Sequence, residues 1–194
     1  GHPDIGNVVF TGSVETGIKA ATAAAANVVP AVLELGGKSA AIVMPDADLD
    51  NFMDSVRWGI FYNAGQVCSA MSRVIAHQDV HDEIVARCVA LAESLSVGPG
   101  IERRDFGANM GAMISDGQRD RAEGLVAGAE RDGAQIVTGG HRLNTPGAFL
   151  APTVLKDVTP DMHISGTEVF GPVLSVMKTD TEDQALEIAN GTEY

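Results

Sequence analysis

The sequence has few of the basic residues that bind nucleic acid or an anionic membrane surface. Thirteen lysines and arginines stand against 26 aspartates and glutamates, which gives a formal net charge of −13. The basic residues form no cluster, and binding to phosphates requires such clusters. We therefore expect no nucleic-acid partner, and the charge has the wrong sign for anionic lipid.

We also expect no membrane span, no signal peptide at the opening residues and no framework of disulfides. No apolar run is long enough to span a bilayer, and the opening residues have neither the basic start nor the apolar centre of a signal peptide. The two cysteines, Cys68 and Cys88, are too few to cross-link a small secreted fold by disulfides. We expect no membrane association, and a reducing cytoplasm as the location.

The residues that are present favour an α/β protein. Hydrophobic residues make up 45% of the chain, and 22 glycines provide for many tight turns. Strands alternate with helices, which predicts a mostly parallel sheet covered by helices on both faces. Strands are predicted at 8–10, 31–35, 40–44, 73–76, 134–137 and 150–155, with an extended segment at 168–176. Helices are predicted at 14–26, from an N-cap within 46–50 to about 63, and at 80–95, 116–131 and 181–190. Pro152 predicts that its strand lies at a sheet edge.

Cys68 lies in a segment, residues 63–70, that we expect to be a tight loop with the cysteine at the start of the next strand. Gly65 allows the loop to turn sharply. A thiol on such a turn is better placed to react than one on a helix face, although a lone cysteine can also be a small buried hydrophobe. Cys88 shares an apolar helical face with its neighbours, so we expect it in the core.

Glu34 is unusual because it stands between Leu33 and Leu35 in a predicted strand. Glutamate is depleted in strands and is rarely buried without a partner. It is either an edge-strand residue that faces solvent, or a general base whose pKa is raised by an apolar pocket.

Two further segments could contact a ligand. The turn at Gly12 and Ser13 joins a strand to a helix, where backbone amides can bind a polar cofactor group, although an ordinary βα connection has the same pattern. It is not a phosphate loop of the Walker type, because Ile18 occupies the place of the required lysine. Glu168 and Phe170 are two residues apart, so on an extended segment they point the same way.

We expect no metal site. His77 and His81 are four residues apart, but they straddle a strand–helix junction without a third ligand, and we predict that both lie at the surface. The acids at 46, 48 and 50 lack the glycine and the distal glutamate of a calcium loop and fit helix capping. A surface loop rich in glycine is predicted at 97–111, and an exposed excursion at 143–149.

The order and spacing of four short segments resemble those of the aldehyde dehydrogenase superfamily. The resemblance extends over the whole chain. The four segments are the cofactor-contact turn Phe10-Thr11-Gly12-Ser13-Val14-Glu15-Thr16-Gly17, the glutamate signature Leu33-Glu34-Leu35-Gly36-Gly37-Lys38-Ser39, the cysteine signature Gly65-Gln66-Val67-Cys68 and the ribose-contact motif Glu168-Val169-Phe170-Gly171-Pro172. The separation of Glu34 from Cys68 also suits that family.

The resemblance implies the catalytic roles. Cys68 would attack an aldehyde as thiolate, and Glu34 would activate the water that hydrolyses the resulting thioester. Val67 and Ser69, which flank the nucleophile, would line the substrate tunnel.

The resemblance also implies NAD as cofactor, with NADP not excluded. By the same resemblance, the cofactor-binding residues would be Gly12, Ser13, Leu35, Glu168 and Phe170, which fall in the first, second and last motifs. Glu168 would hydrogen-bond the nicotinamide ribose, and Gln118 would reach the same ribose by analogy.

The resemblance implies that residues 1–34 are the end of a Rossmann-like dinucleotide-binding domain. It also implies that residues 35–194 are a catalytic domain, which we expect to be incomplete at its C-terminus. The family's oxyanion-hole asparagine and its ribose-binding lysine have no counterpart among these 194 residues. We therefore predict that the isolated chain binds cofactor weakly and turns over slowly, and that its parent is a homo-oligomer.

Three other functions remain open. Related reductases that act on acyl phosphates or acyl-CoA often lack the hydrolytic base, so Glu34 favours the acid-forming reaction. A non-catalytic domain would have no need to retain all four motifs. A cysteine hydrolase needs a histidine partner, and none of the five histidines stands in a comparable motif.

Overall fold

The computed structural model describes residues 2, 4–100 and 109–194, and part of the predicted glycine-rich loop at 97–111 lies outside these residues. The chain divides into two compact units, Gly1–Gly37 with Tyr194 and Lys38–Glu193. The predicted boundary, after residue 34, falls three residues before this division. The assignment of the two units to a dinucleotide-binding and a catalytic domain stays a prediction.

The first unit is a strand–helix–strand structure. It consists of β1 (Val8–Thr11), α1 (Val14–Ala25) and β2 (Ala31–Glu34). The two strands are parallel, and α1 packs on both. A Cβ atom at Gly17 would lie 2.5 Å from the side chain of Leu35, so the absence of a side chain there lets the helix pack closely.

The second unit contains the remaining elements. In chain order these are β3 (Ala40–Val43), α2 (Leu49–Val56), β4 (Arg73–His77), α3 (Gln78–Ser94), β5 (Ser96–Val97), β6 (Asn109–Met110), α4 (Asp116–Asp132), β7 (Gln135–Thr138), β8 (Thr153–Lys156), α5 (His163–Gly166), β9 (Val173–Thr179) and α6 (Glu182–Asn190).

The main sheet has five strands in the order β3-β4-β9-β8-β7, and β5 pairs with β6 separately. All pairs in the main sheet are parallel except β7 with β8. Residues 73–76 of β4 are all buried, which requires cover on both faces of the sheet. Helix α3 packs on β4, β8 and β9, while α6 packs on β3, β4 and β9. The prediction of a mostly parallel α/β fold is confirmed.

The prediction that Pro152 marks an edge strand is wrong, because β8 lies between β9 and β7. Proline is excluded from a central strand only where its missing N–H would have to join the ladder. Here Pro152 stands just before the first strand residue, Thr153, whose N–H donates to the carbonyl of Pro172 at 2.8 Å.

His81 is buried, with 1% of its surface exposed, so the prediction that it lies at the surface is wrong. On α3, His81 shares a face with three buried residues, Ile84, Val85 and Cys88, and the helix packs on the main sheet. Its Nδ1 lies 2.8 Å from the carboxylate of Asp82. Cys88 is fully buried, as predicted.

Metal clusters and membrane-spanning helices are both absent from the described residues. No group of three or more histidines, cysteines or acids there could hold a metal ion. Nor does any described helix have the length and apolar character needed to cross a membrane.

Candidate active site

The loop that carries Cys68 begins with a break in the predicted helix. Helix α2 ends at Val56 and is followed by a π-helical turn at Arg57–Phe61 and a 3₁₀ turn at Tyr62–Gly65. Three consecutive residues in the second turn have positive φ angles, 51° at Asn63, 53° at Ala64 and 70° at Gly65. Helical backbone continues through Phe61, two residues before the predicted end at about Asn63, although its last turn is π-helical, and the left-handed stretch follows.

Cys68 is exposed, on a turn closed by a 2.9 Å bond from the N–H of Ala70 to the carbonyl of Val67. The exposure rules out the alternative of a small buried hydrophobe. The predicted start of a strand at Cys68 is also wrong, because β4 begins at Arg73. The amide of Met71 donates to the carbonyl of Gly59 and so does not join the sheet ladder.

The Cys68 loop lies directly against the segment at 168–172. A Cβ atom at Gly65 would stand only 2.1 Å from the carbonyl oxygen of Gly171. No other residue type permits this approach, because the φ of +70° adds strain to the clash. The structure therefore brings together two of the four motifs, the cysteine signature and the ribose-contact motif.

Gln66 holds the loop in place through its side-chain amide. Its Nε2 donates to the carbonyl of Asn63 at 3.0 Å, and its Oε1 accepts from the N–H of Ile114 at 2.8 Å. The side chain of Asn63 in turn donates to the carbonyl of Gln66 at 3.0 Å. Side chains therefore fix this loop and connect it to the residues that lead into α4.

Helix α4 orders the 168–170 segment by binding its carbonyls. Gln118 Nε2 donates to the carbonyls of Val169 and Phe170, each at 3.0 Å, and Arg121 donates to those of Glu168 and Val169, each at 2.9 Å. Phe170 has a φ of 52°, so the prediction of an extended segment is wrong at this residue. Glu168 and Phe170 are both half-buried.

Lys38 is a candidate residue that pattern reasoning did not single out. It is buried, with 3% of its surface exposed, and its Nζ has no hydrogen-bond partner among the described residues. Burial, with a smaller effect of the Arg73 charge, lowers its pKa to about 7, while Glu168 opposes the shift. The available signal was a lysine between two glycines and an apolar strand, where a charge is uncommon.

In the first unit, the backbone brings Gly12 and Glu34 together. Thr11 and Glu34 are partners in the parallel pair, and the N–H of Gly12 donates to the carbonyl of Glu34 at 3.0 Å. Glu34 is exposed at the end of β2, as in the edge-strand interpretation, and no apolar pocket encloses it in the described part of the chain. Ser13 caps α1 by accepting from the N–H of Thr16 at 3.3 Å.

The other residues that we named from the motifs are divided between the two units. Leu35 packs near Gly17 in the first unit, together with Glu34, whereas Cys68 belongs to the second unit. Val67 is half-buried and Ser69 is exposed, on either side of the thiol.

Two aromatic side chains precede the Cys68 loop. Trp58 and Tyr62 are 52% and 57% exposed, and their ring centroids lie 6.2 Å apart at an interplanar angle of 49°. Both rings are therefore more than half open to solvent.

A family model and curated proteins match this chain. The model of the aldehyde dehydrogenase family matches residues 1–194. The peroxisomal aminoaldehyde dehydrogenase 2 of Pisum sativum is 42% identical, and the match covers all of this chain and 38% of that protein. The chloroplastic betaine aldehyde dehydrogenase of Beta vulgaris is 41% identical, with the same coverage.

Solved structures share the fold at similar identity. An NAD+ complex of an aldehyde dehydrogenase from Bacillus cereus superposes with a TM-score of 0.94 at 38% identity, over all of this chain and 39% of that one. A betaine aldehyde dehydrogenase from Staphylococcus aureus, also in complex with NAD+, gives 0.92 at 36% identity with the same coverage. The chain thus spans well under half the length of these relatives.

Proposed function

The chain belongs to the aldehyde dehydrogenase family, and we propose that it supplies the catalytic cysteine of an enzyme that oxidises an aldehyde to a carboxylic acid. The observation that carries the proposal is the exposed thiol of Cys68, held on a turn that packs against the 168–172 segment. A thiol at such a position is accessible to a substrate, unlike the buried Cys88, whose pKa burial raises to about 12.

In the first step, Cys68 acts as the nucleophile. Its thiolate forms a bond to the aldehyde carbon, and the carbonyl oxygen becomes an oxyanion that the backbone N–H of Cys68 stabilises. This makes the carbon tetrahedral, and only then can it release hydride. NAD(P)+, when bound, supplies the hydride acceptor, and a thioester on Cys68 remains.

In the second step, Glu34 acts as the general base. It takes a proton from water, the water oxygen bonds to the thioester carbon, and the carbon–sulfur bond breaks to release the acid and the Cys68 thiolate. The exposed position of Glu34 at the end of β2 supports this role because it leaves the carboxylate accessible to water.

The residues of the chain fit a nicotinamide dinucleotide. The N-terminus of α1 presents backbone amides next to the exposed Ser13, as a pyrophosphate requires. Glu168 offers a half-buried carboxylate as an acceptor for ribose hydroxyls, and the buried, unpartnered Nζ of Lys38 lies within the electrostatic reach of that carboxylate. Phe170 would pack beside the nicotinamide. NAD and NADP both suit these contacts.

For the substrate we propose an aldehyde that carries an amine or a quaternary ammonium group. The named relatives are aminoaldehyde and betaine aldehyde dehydrogenases. The exposed pair of Trp58 and Tyr62, which precede Cys68 by ten and six residues, offers aromatic faces to a cation. Such contacts contribute about 0.5–2 kcal/mol each.

The test uses the complete enzyme chain and follows NADH and acid formation separately. We expect Cys68→Ala to abolish both, while Cys88→Ala, which alters the buried thiol, serves as the matched control and retains activity. Glu34→Gln should give a burst of NADH followed by slow release of acid, because the thioester forms but is not hydrolysed. Dehydrogenase activity in Cys68→Ala would refute the mechanism.

The same assay distinguishes the substrate class and the acylating alternative. Trp58→Leu should lower kcat/KM for an ω-amino aldehyde severalfold and leave that for an alkyl aldehyde of equal length unchanged. Equal losses for both substrates would refute the cation contact. Acyl-CoA or acyl phosphate as the product, with no effect of Glu34→Gln, would identify an acylating reductase.

A further inference from the structure

Lys38 combines three features that a merely structural lysine does not need. Its side chain is buried, its Nζ has no hydrogen-bond partner among the described residues, and it lies among other charges. An ammonium group without a partner costs several kcal/mol when it is buried. A protein that keeps such a group gains something from the charge, since a methionine of nearly the same shape would avoid the cost.

The charges that act on Lys38 come from three elements. Arg73 on β4 and Arg121 on α4 repel it, and Glu168 in the loop before β9 attracts it. Both arginines are bound to backbone carbonyls, so neither can move away to relieve the repulsion. Glu168 is therefore the group through which the ammonium of Lys38 gains stabilisation.

The main chains of Lys38 and Glu168 are each fixed by one of these arginines. Arg73 donates to the carbonyl of Lys38 through Nε and Nη2, at 3.0 and 2.7 Å. Arg121 donates to the carbonyl of Glu168 at 2.9 Å. Because hydrogen bonds hold both main chains, the attraction between the two side chains can change only their side-chain torsion angles.

We propose that Lys38 is a positioning residue whose ammonium orients the carboxylate of Glu168 for its contact with the ribose of the cofactor. The inference rests on the proposed function, in which Glu168 accepts hydrogen bonds from the ribose hydroxyls. A carboxylate that must accept two hydroxyls needs a fixed orientation, because each misplaced torsion reduces the affinity. A buried cation can supply that orientation without occupying the ribose site.

The proposal gives cofactor affinity a pH dependence with a defined sign. The pKa of Lys38 is lowered to about 7, so the ammonium loses its proton as the pH rises from 6 to 9. The attraction to Glu168 then disappears, and the affinity for NAD+ should fall.

The experiment measures the dissociation constant of NAD+ by titration calorimetry at pH 6 and pH 9, in the complete enzyme. For the wild type we expect the constant to rise roughly tenfold between these pH values, because a neutral Lys38 no longer attracts the carboxylate of Glu168. Lys38→Met should bind weakly at both pH values without a further change. Lys178→Met, which removes an exposed lysine of the same unit, is the control and should follow the wild type.

A double-mutant cycle with Glu168→Gln separates this inference from the proposed function. If Lys38 acts through Glu168, adding Lys38→Met to Glu168→Gln weakens binding no further. Additive losses, or wild-type affinity in Lys38→Met, would overturn the positioning role. If Glu168→Gln alone leaves NAD+ affinity unchanged, the ribose contact itself fails.

Two further readouts keep the test independent of folding. A positioning role raises KM for NAD+ much more than it lowers kcat, whereas a general packing defect changes both and lowers the melting temperature. The wild type and Glu168→Gln can also be compared alone. A pH dependence that survives in Glu168→Gln would contradict the inference even if Lys38→Met did not fold.

Discussion

Individual residues near Cys68 adopt backbone conformations that carry a cost. Asn63 and Ala64 are left-handed without being glycine, and a left-handed alanine costs about 1–2 kcal/mol. Strain of this kind is found at active sites, where it is held by the surrounding structure. Here the side chain of Gln66 and the packing against Gly171 hold it.

Gly65→Ala should destabilise the chain by about 3 kcal/mol or more, since it adds a clash to a left-handed φ. The free energy of unfolding in urea measures the effect. Gly124→Ala is the matched control, because Gly124 lies inside α4 with nothing within 4 Å of the added Cβ. That change should stabilise by about 0.5–1 kcal/mol. A loss of less than about 1 kcal/mol at Gly65 would contradict the tight contact with Gly171.

Residue types with rare chemistry could be selected from the sequence, but their surroundings could not. Cys68 and Glu34 stood out because a lone cysteine on a turn and a glutamate in an apolar strand are uncommon. The left-handed Ala64 and Phe170 carry no such signal, because neither residue type indicates a positive φ. The side-chain contacts of Gln66 arise from chain segments that are distant in sequence.

Among the elements, the end of α6 depends on a side chain from a distant strand. The last carbonyls of a helix have no partner within it. Arg73 on β4 donates to the carbonyls of Ile188 and Ala189, at 3.0 and 2.9 Å, and its other bonds reach Lys38. One buried guanidinium thus joins three elements, the start of β3, β4 and α6.

Arg73→Met should lower the free energy of unfolding by about 3 kcal/mol or more, since it leaves several buried carbonyls without donors. Arg73→Lys should recover only part of this loss, because an ammonium cannot reproduce the planar fork of donors. Arg131→Met, at the exposed end of α4, is the control and should change stability by less than about 0.5 kcal/mol. Equal effects at the two positions would contradict the anchoring role. Chemical denaturation of the 194-residue chain decides the point.

Helices with a high alanine content or a regular amphipathic pattern were predicted with nearly correct ends. The alanine-rich α1 and the amphipathic α4 lie within a residue or two of their predicted bounds. The errors came from tertiary contacts. Pro152 is tolerated beside a central strand because it stands just outside the ladder, and His81 is buried because it lies on the face of α3 that also carries core residues.

For the whole molecule, two buried groups make stability depend on pH in opposite directions. The pKa of Lys38 is lowered from 10.5 to about 7, and burial raises that of Cys88 from 9.0 to about 12. Between pH 7 and 10.5 the unfolded chain keeps a proton that folded Lys38 has lost, so stability rises with pH. Above pH 9 unfolded Cys88 loses a proton that the folded chain keeps, so stability falls.

We expect the free energy of unfolding to rise from about pH 7 and to level off above pH 9, with a slope of at most about 1.4 kcal/mol per pH unit from either group. Urea titrations across this range measure the profile. Lys38→Met should remove the rise and Cys88→Ala the opposing loss at high pH, whatever their effects on absolute stability. A wild-type profile that is flat between pH 7 and 9 would contradict the burial of a titrating lysine.

The location and the assembly of the complete enzyme stay predictions at this scale. The relatives include peroxisomal, chloroplastic and mitochondrial proteins, so family membership favours no single compartment. A homo-oligomeric parent and slow turnover by the isolated chain also remain as the sequence predicts them.

Trp58 is the only tryptophan of the chain, and it lies on the turn that leads into the Cys68 loop. All indole fluorescence of this chain therefore originates ten residues before the reactive thiol. With just over half of its surface exposed, the ring should emit at the long wavelengths of a hydrated indole, with Tyr62 close enough to transfer excitation energy to it. Indole emission can therefore report on the turn that leads into the Cys68 loop without any added label.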